Sequence, residues 1–193
     1  IAKAPEDIIN TPTLIGDIVR DGGSVLLVIP LDDQAPKGRL LPLQVQVIRD
    51  CLDHGCSVTA VRDTEYQAAL QRLSPAPDLV IIDSSVVGTI IPQTPPSIPL
   101  TTFSILFARL KGDLAKLVEG ASALSTLQNG DKILVAESCT HHAAKNDIGR
   151  VKIPNLIRQK TGVEPEFTHV AGCDFPDNLA EYKLVIQCGG GMS

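Results

Sequence analysis

The sequence has no tryptophan, and aromatic residues make up 3% of its 193 positions. A stacking platform for single-stranded nucleic acid needs several exposed rings, so that class is disfavoured. Basic residues are also outnumbered, 17 against 22 acidic ones, for a net charge of −5. Binding to a phosphate backbone is driven by cationic side chains, so no nucleic-acid partner is expected. No apolar run approaches the ~18 residues that a bilayer-spanning helix requires. The first ten residues, "IAKAPEDIIN", lack the basic stretch and apolar core of a secretory signal, and no membrane partner is expected. The pattern G-x-x-x-x-G-K-[ST] is missing too, and with it the loop whose backbone amides cradle nucleotide phosphates. The stretch "APKGRL" (35–40) carries Lys37 and Gly38 without the preceding spacing and reads as a solvated loop.

What is present is an aliphatic core: 44% of the residues are apolar, and Val, Ile, Leu and Ala must supply the packing. The five cysteines are Cys51, Cys56, Cys139, Cys173 and Cys188. An odd number without a secretion signal points to a reducing compartment, where thiols bind metals, react or fill space. A cytoplasmic location is expected.

Short β-branched runs alternate with helical patterns. Strands are predicted at 24–30, 57–62, 78–83, 100–105, within 129–138 after an opening turn (132–137), at 166–172 and at 183–188. Helices are predicted at 38–55, 64–73, 106–127 and 148–162, the last interrupted or restarted by Pro154. Residues 93–99, "QTPPSIP", are too rich in proline for regular structure. Strands separated by helices imply parallel pairing. The predicted fold is α/β, two consecutive parallel-sheet units at about 6–110 and 111–193.

Parallel sheets of this kind hold ligands outside the carboxyl ends of their strands. In the second unit three such ends carry cysteine. One strand runs into Ser138-Cys139-Thr140-His141-His142, the next into Gly172-Cys173, and the last into Cys188-Gly189-Gly190-Gly191. If the strands are parallel, all three thiols emerge at one edge, joined by His141 and His142. Cys51 and Cys56 read as core filler, and His169, inside a strand pattern, as a core or edge histidine. Cys139 beside two histidines reads as functional. Cys-x-His spacing permits a metal or cluster site, a nucleophile with its base, or structural zinc.

The stretches "AESCTHHAAKNDIGRVKIPNLIRQKTG" and "AGCDFPDNLAEYKLVIQCGGGM" resemble the C-terminal part of the HydF family, the maturation GTPases of iron-only (FeFe) hydrogenases. "PLDDQAPKGRLLPLQVQVIRDCLDHG" and "TTFSILFARLKGDL" resemble the dimerisation domain of the same family. The resemblance covers nearly the whole chain. It implies a homodimer joined through the first unit (6–110) and an iron–sulfur cluster-binding second unit (111–193), without the family's GTP-binding domain and so without enzymatic activity of its own. A short sheet whose edge strand needs protection fits the dimer. The implied cofactor is a 4Fe-4S cluster. The implied function is that of a scaffold or carrier that delivers a diiron subcluster precursor to apo FeFe-hydrogenase, alongside the radical-SAM maturases.

In that family a Cys-x-His motif precedes a distant His-Cys-x-x-Cys motif. Carried over, Cys139 and His141 match the first, and Cys188 matches the first cysteine of the second. Gln187 stands where the family has His, and Gly191 where it has the last Cys. Iron–sulfur clusters are typically held by thiolates, and two motif thiolates remain, with Cys173 as a further candidate. Weak or absent cluster binding is the expectation for Gly191. The alternatives are a structural zinc site from Cys139, His141, Cys188 and Cys173, and a cysteine-nucleophile enzyme using Cys139 and His141.

Overall fold

A computed structural model describes residues 13–31, 38–138 and 147–189. The chain divides between Gly112 and Asp113 into two compact units, and each holds its own parallel sheet, an α/β fold.

In the first unit, β1 (Ser24–Val28), β2 (Ser57–Val61), β3 (Leu79–Ile82) and β4 (Leu100–Thr102) lie in the order β2-β1-β3-β4, all parallel. The connecting helices are α1 (Pro42–Asp53), α2 (Tyr66–Arg72), the single turn α3 (Val87–Ile90) and α4 (Phe103–Lys111). The central strands, SVLLV and LVII, are apolar on both faces because both faces are covered. Alternate residues serve different cores. Val25, Leu27, Leu79 and Ile81 pack with Val47 and Cys51 of α1 and Phe103, Leu106 and Phe107 of α4. Leu26, Val28, Val80 and Ile82 pack with Tyr66 and Ala69 of α2 and with Val86 and Ile90. Cys51 and Cys56 are both buried in the first of these cores.

The fourth predicted strand, 100–105, is half as long as expected. Thr102 ends it: its Oγ1 accepts a hydrogen bond from the Ile105 N–H at 3.1 Å, so Phe103 opens α4 instead. The predicted helix at 106–127 is likewise broken. Gly112 is extended, and Asp113 starts α5 (Leu114–Ser122) by accepting from the Lys116 N–H at 3.2 Å. A 3₁₀ turn, Ala123–Thr126, follows α5.

In the second unit, β5 (Lys132–Glu137), β6 (Glu166–Ala171) and β7 (Leu184–Cys188) lie in the order β6-β5-β7, again all parallel. One π turn, Ile148–Lys152, leads into α6 (Ile153–Thr161). Pro154 sits where the π turn passes into α6 and has no N–H to give the preceding turn. Gly162, at φ 72°, closes the helix through a bond from its N–H to the Arg158 carbonyl. Ile153 and Ile157 pack on the sheet face made by Ile133, Phe167, Leu184 and Ile186. Among the described residues, no helix is long and apolar enough to cross a membrane.

Candidate functional site

The register of the second sheet fixes what stands at its carboxyl edge. Glu137, the last residue of β5, pairs with Ala171 of β6 and with Cys188 of β7. The ladder continues one step further on each side: the Gly172 N–H donates to the Glu137 carbonyl at 3.1 Å, and the Ser138 N–H donates to the Cys188 carbonyl at 2.9 Å. Cys188 thus ends β7 beside the end of β5, and Cys173 stands in the turn two residues past the end of β6, on the other side of β5. β6 and β7 are about 10 Å apart. Cys173 is exposed and Cys188 is half-buried. Cys139, His141 and His142, and Gly191, lie outside the described residues, so of the residues implied by resemblance only Cys173, Gln187 and Cys188 are placed.

Side chains alternate along a strand, and this separates Cys188 from its neighbour. Cys188 shares a face with Ile186 and Leu184, the face on which α6 packs. Gln187 is exposed on the opposite face, level with Ala136. The position that holds histidine in the resembling family therefore turns its side chain away from the Cys188 thiol in this chain.

On the α6 face the carboxyl edge is closed by a polar arrangement that sequence reading did not single out. The side chains of Glu137, Cys188 and His169 come from the three strands and point to the same side, as the register pairs Glu137 with Cys188 and Val135 with His169. All three meet the π turn. The Arg150 guanidinium donates from Nε and Nη2 to both oxygens of Glu137 at 3.0–3.3 Å. Glu137 is 8% exposed, whereas half of Arg150 faces solvent. His169 Nε2 lies 3.2 Å from the Gly149 carbonyl oxygen. Gly149 itself is buried. A Cβ added there would lie 3.1 Å from Oε1 of Glu137 and 3.2 Å from Sγ of Cys188. Asp147 starts the turn by accepting from the Arg150 N–H at 2.9 Å. The hydrogen bond to Glu137, and then that carboxylate's charge, hold the Arg150 pKa above its ordinary value. The available signal was slight: a charged residue, Glu137, ending an otherwise apolar strand, and the Asp-x-x-Arg spacing of Asp147 and Arg150.

His169 is the edge-strand histidine expected, in β6, and its ring is further bonded to the π turn. Among the described residues no group of three or more His, Cys, Asp or Glu side chains is placed to hold a metal ion. At the carboxyl edge the described residues offer the half-buried Cys188 thiol and, in the turn after β6, the exposed Cys173 thiol. In the first unit the Cys51 thiol is pushed up to about 12, chiefly by burial and then by the neighbouring Cys56 and Asp50. It is poorly suited to metal binding or nucleophilic attack, both of which need the thiolate.

Two protein-family models match the chain. The Hydrogen maturase F dimerization domain covers residues 14–112, and the Hydrogen maturase F tetramerization domain covers residues 115–193. A search of curated proteins gives no match. Both matched domains are oligomerisation domains rather than catalytic ones, and they support self-association of this chain. The second contact, a tetramerising one, was not anticipated from the sequence, which gave reason only for a dimer. The two matches divide the chain where the structure does, and the chain belongs to the hydrogen maturase F (HydF) family, whose role is in hydrogenase maturation.

Proposed function

We propose that this chain is the oligomerising scaffold part of a hydrogenase maturation factor, and that its second unit holds a 4Fe-4S cluster and presents a diiron precursor to apo FeFe-hydrogenase. Membership of the family supports the maturation role. The observation that carries the cluster reading is the bond from the Ser138 N–H to the Cys188 carbonyl. It brings the residue before Cys139 beside Cys188 at the carboxyl edge of a parallel sheet, where such sheets bind ligands. Cys139, His141 and Cys188 would hold the cluster, with Cys173 as a further thiol at the same edge. Iron in such a cluster prefers thiolates, and Gly191 removes one that the family pattern supplies. When bound, the cluster would supply open iron positions for the precursor. The chain's own residues supply the thiolates and the edge that aligns them.

Anaerobic reconstitution with iron and sulfide tests this. The unaltered chain should retain little cluster, read as visible charge-transfer absorbance and as iron and sulfide per chain. Gly191→Cys should raise both, and Cys139→Ala in that background should remove them. If Gly191→Cys binds zinc but never develops the visible band, the cluster reading fails.

A further inference from the structure

The π turn is tied to every strand of the second sheet, and the ties converge where the Cys188 thiol lies. Glu137 of β5 engages Arg150 through two donors, His169 of β6 reaches the Gly149 carbonyl, and Cys188 of β7 lies against Gly149. The Glu137 carboxylate is almost wholly buried, and its hydrogen-bonding partner is a guanidinium from the turn. A buried carboxylate without a partner is costly, so the turn is held down as long as Arg150 is present. Gly149 has no side chain to hold the turn off the sheet, and its backbone closes one side of the thiol.

We propose that Glu137, Gly149 and Arg150 are positioning residues for Cys188. The Glu137–Arg150 ion pair locks residues 147–150 across the carboxyl edge, and that lock fixes the Cys188 thiol in one orientation and shields its α6-side approach. His169 reinforces the lock from the third strand. This rests on the cluster reading for its purpose but not for its geometry, since thiol shielding is measurable with no iron present.

The test uses the full chain and two independent readouts. The first is the rate at which a maleimide labels Cys188 in the reduced, metal-free protein, followed by peptide mapping so that the other cysteines do not interfere. Arg150→Met should raise that rate about tenfold, equivalent to about 1.4 kcal/mol of lost local protection. Arg150→Lys, which keeps a cation opposite Glu137, should restore at least half of the protection on a logarithmic scale. Glu137→Gln, the milder variant, should give a smaller increase and guards against a fold too damaged to interpret; circular dichroism checks that each variant stays folded. The second readout is the electron paramagnetic resonance spectrum of the reduced cluster after reconstitution in the Gly191→Cys background. Its g-values should shift in Glu137→Gln, because a change in thiolate orientation alters the cluster's electronic structure. If Arg150→Met and Glu137→Gln both fold and label at the unaltered rate, the proposal is wrong. If labelling responds as expected while no variant binds iron, the positioning role stands and the cluster reading falls.

Discussion

Gly149→Ala isolates the closeness of the turn to the sheet. The added methyl would lie 3.1 Å from a Glu137 oxygen and 3.2 Å from the Cys188 sulfur, with Asp147 Oδ1 at 3.5 Å. Two effects of opposite sign compete. Alanine is favoured over glycine in a helical turn by about 1 kcal/mol, while forcing extra volume into a fixed site costs about 1–3 kcal/mol. The outcome depends on whether the neighbours can yield. Glu137 cannot swing away without breaking its paired contacts with Arg150. Cys188 is fixed through its own carbonyl by the Ser138 N–H. The steric effect should therefore win, leaving the second unit less stable by about 1 kcal/mol, the middle of the net range. For a unit of this size that lowers the melting temperature by roughly 4–8 °C. Calorimetry or far-ultraviolet circular dichroism reads it directly, and Tyr182, the tyrosine of the second unit, offers a fluorescence signal for the same transition. A melting temperature equal to or above that of the unaltered chain would refute the claim that the turn is pressed against fixed groups.

Thr102→Ala should destabilise the first unit by about 1 kcal/mol, the usual cost of a lost N-cap, since Thr102 Oγ1 satisfies the Ile105 N–H; urea unfolding measures it. The stability of the first unit should fall as pH rises from about 6 to 8. The His54 pKa is raised, first by its bond to the Asp50 carbonyl and then by the Asp50, Asp21 and Asp53 charges. Stability from a raised histidine is complete below its unfolded pKa and is lost as pH climbs through the folded one, so His54→Gln should flatten the profile. Iodoacetamide at pH 8 should modify the exposed Cys173 while sparing Cys51 and Cys56 until the first unit unfolds; peptide mapping that finds early Cys51 labelling would contradict the burial. At micromolar concentration the chain should sediment as an oligomer, in line with its matches to two oligomerisation domains, and a monomer would count against self-association.

The parallel α/β architecture was legible because apolar runs of four to six residues recur between helical patterns, and runs such as SVLLV and LVII have no polar face to offer solvent. Errors fell where one side chain changes the backbone's course. Thr102 turns a plausible six-residue strand into a three-residue one, and Asp113 divides what looked like a continuous helix. Capping depends on which N–H a short polar side chain reaches, which periodicity does not register. At the edge, strand direction alone predicted that Cys173 and Cys188 would emerge on the same side. The Glu137–Arg150–Gly149 arrangement was not legible because its parts are thirteen or fewer residues apart yet meet through an unusual π turn. The outward direction of Gln187 follows from pleating once the register is known, and a motif written as adjacent letters hides it.

The bond between Ser138 and Cys188 joins positions fifty residues apart in the sequence. Among the described residues between them are the π turn, α6 and β6, and the paired backbones of β5 and β7 hold the two ends together whatever the length of the stretch. Loops on a sheet tolerate insertion and deletion at small entropic cost. A relative could therefore lengthen or shorten this stretch freely while the two strand ends stayed neighbours. Motif spacing is then a poor guide for finding such edges in other genomes. A better query asks for two apolar strands, each with a cysteine at its last residue or within two residues beyond it, and a glycine-arginine pair opening the helix between them.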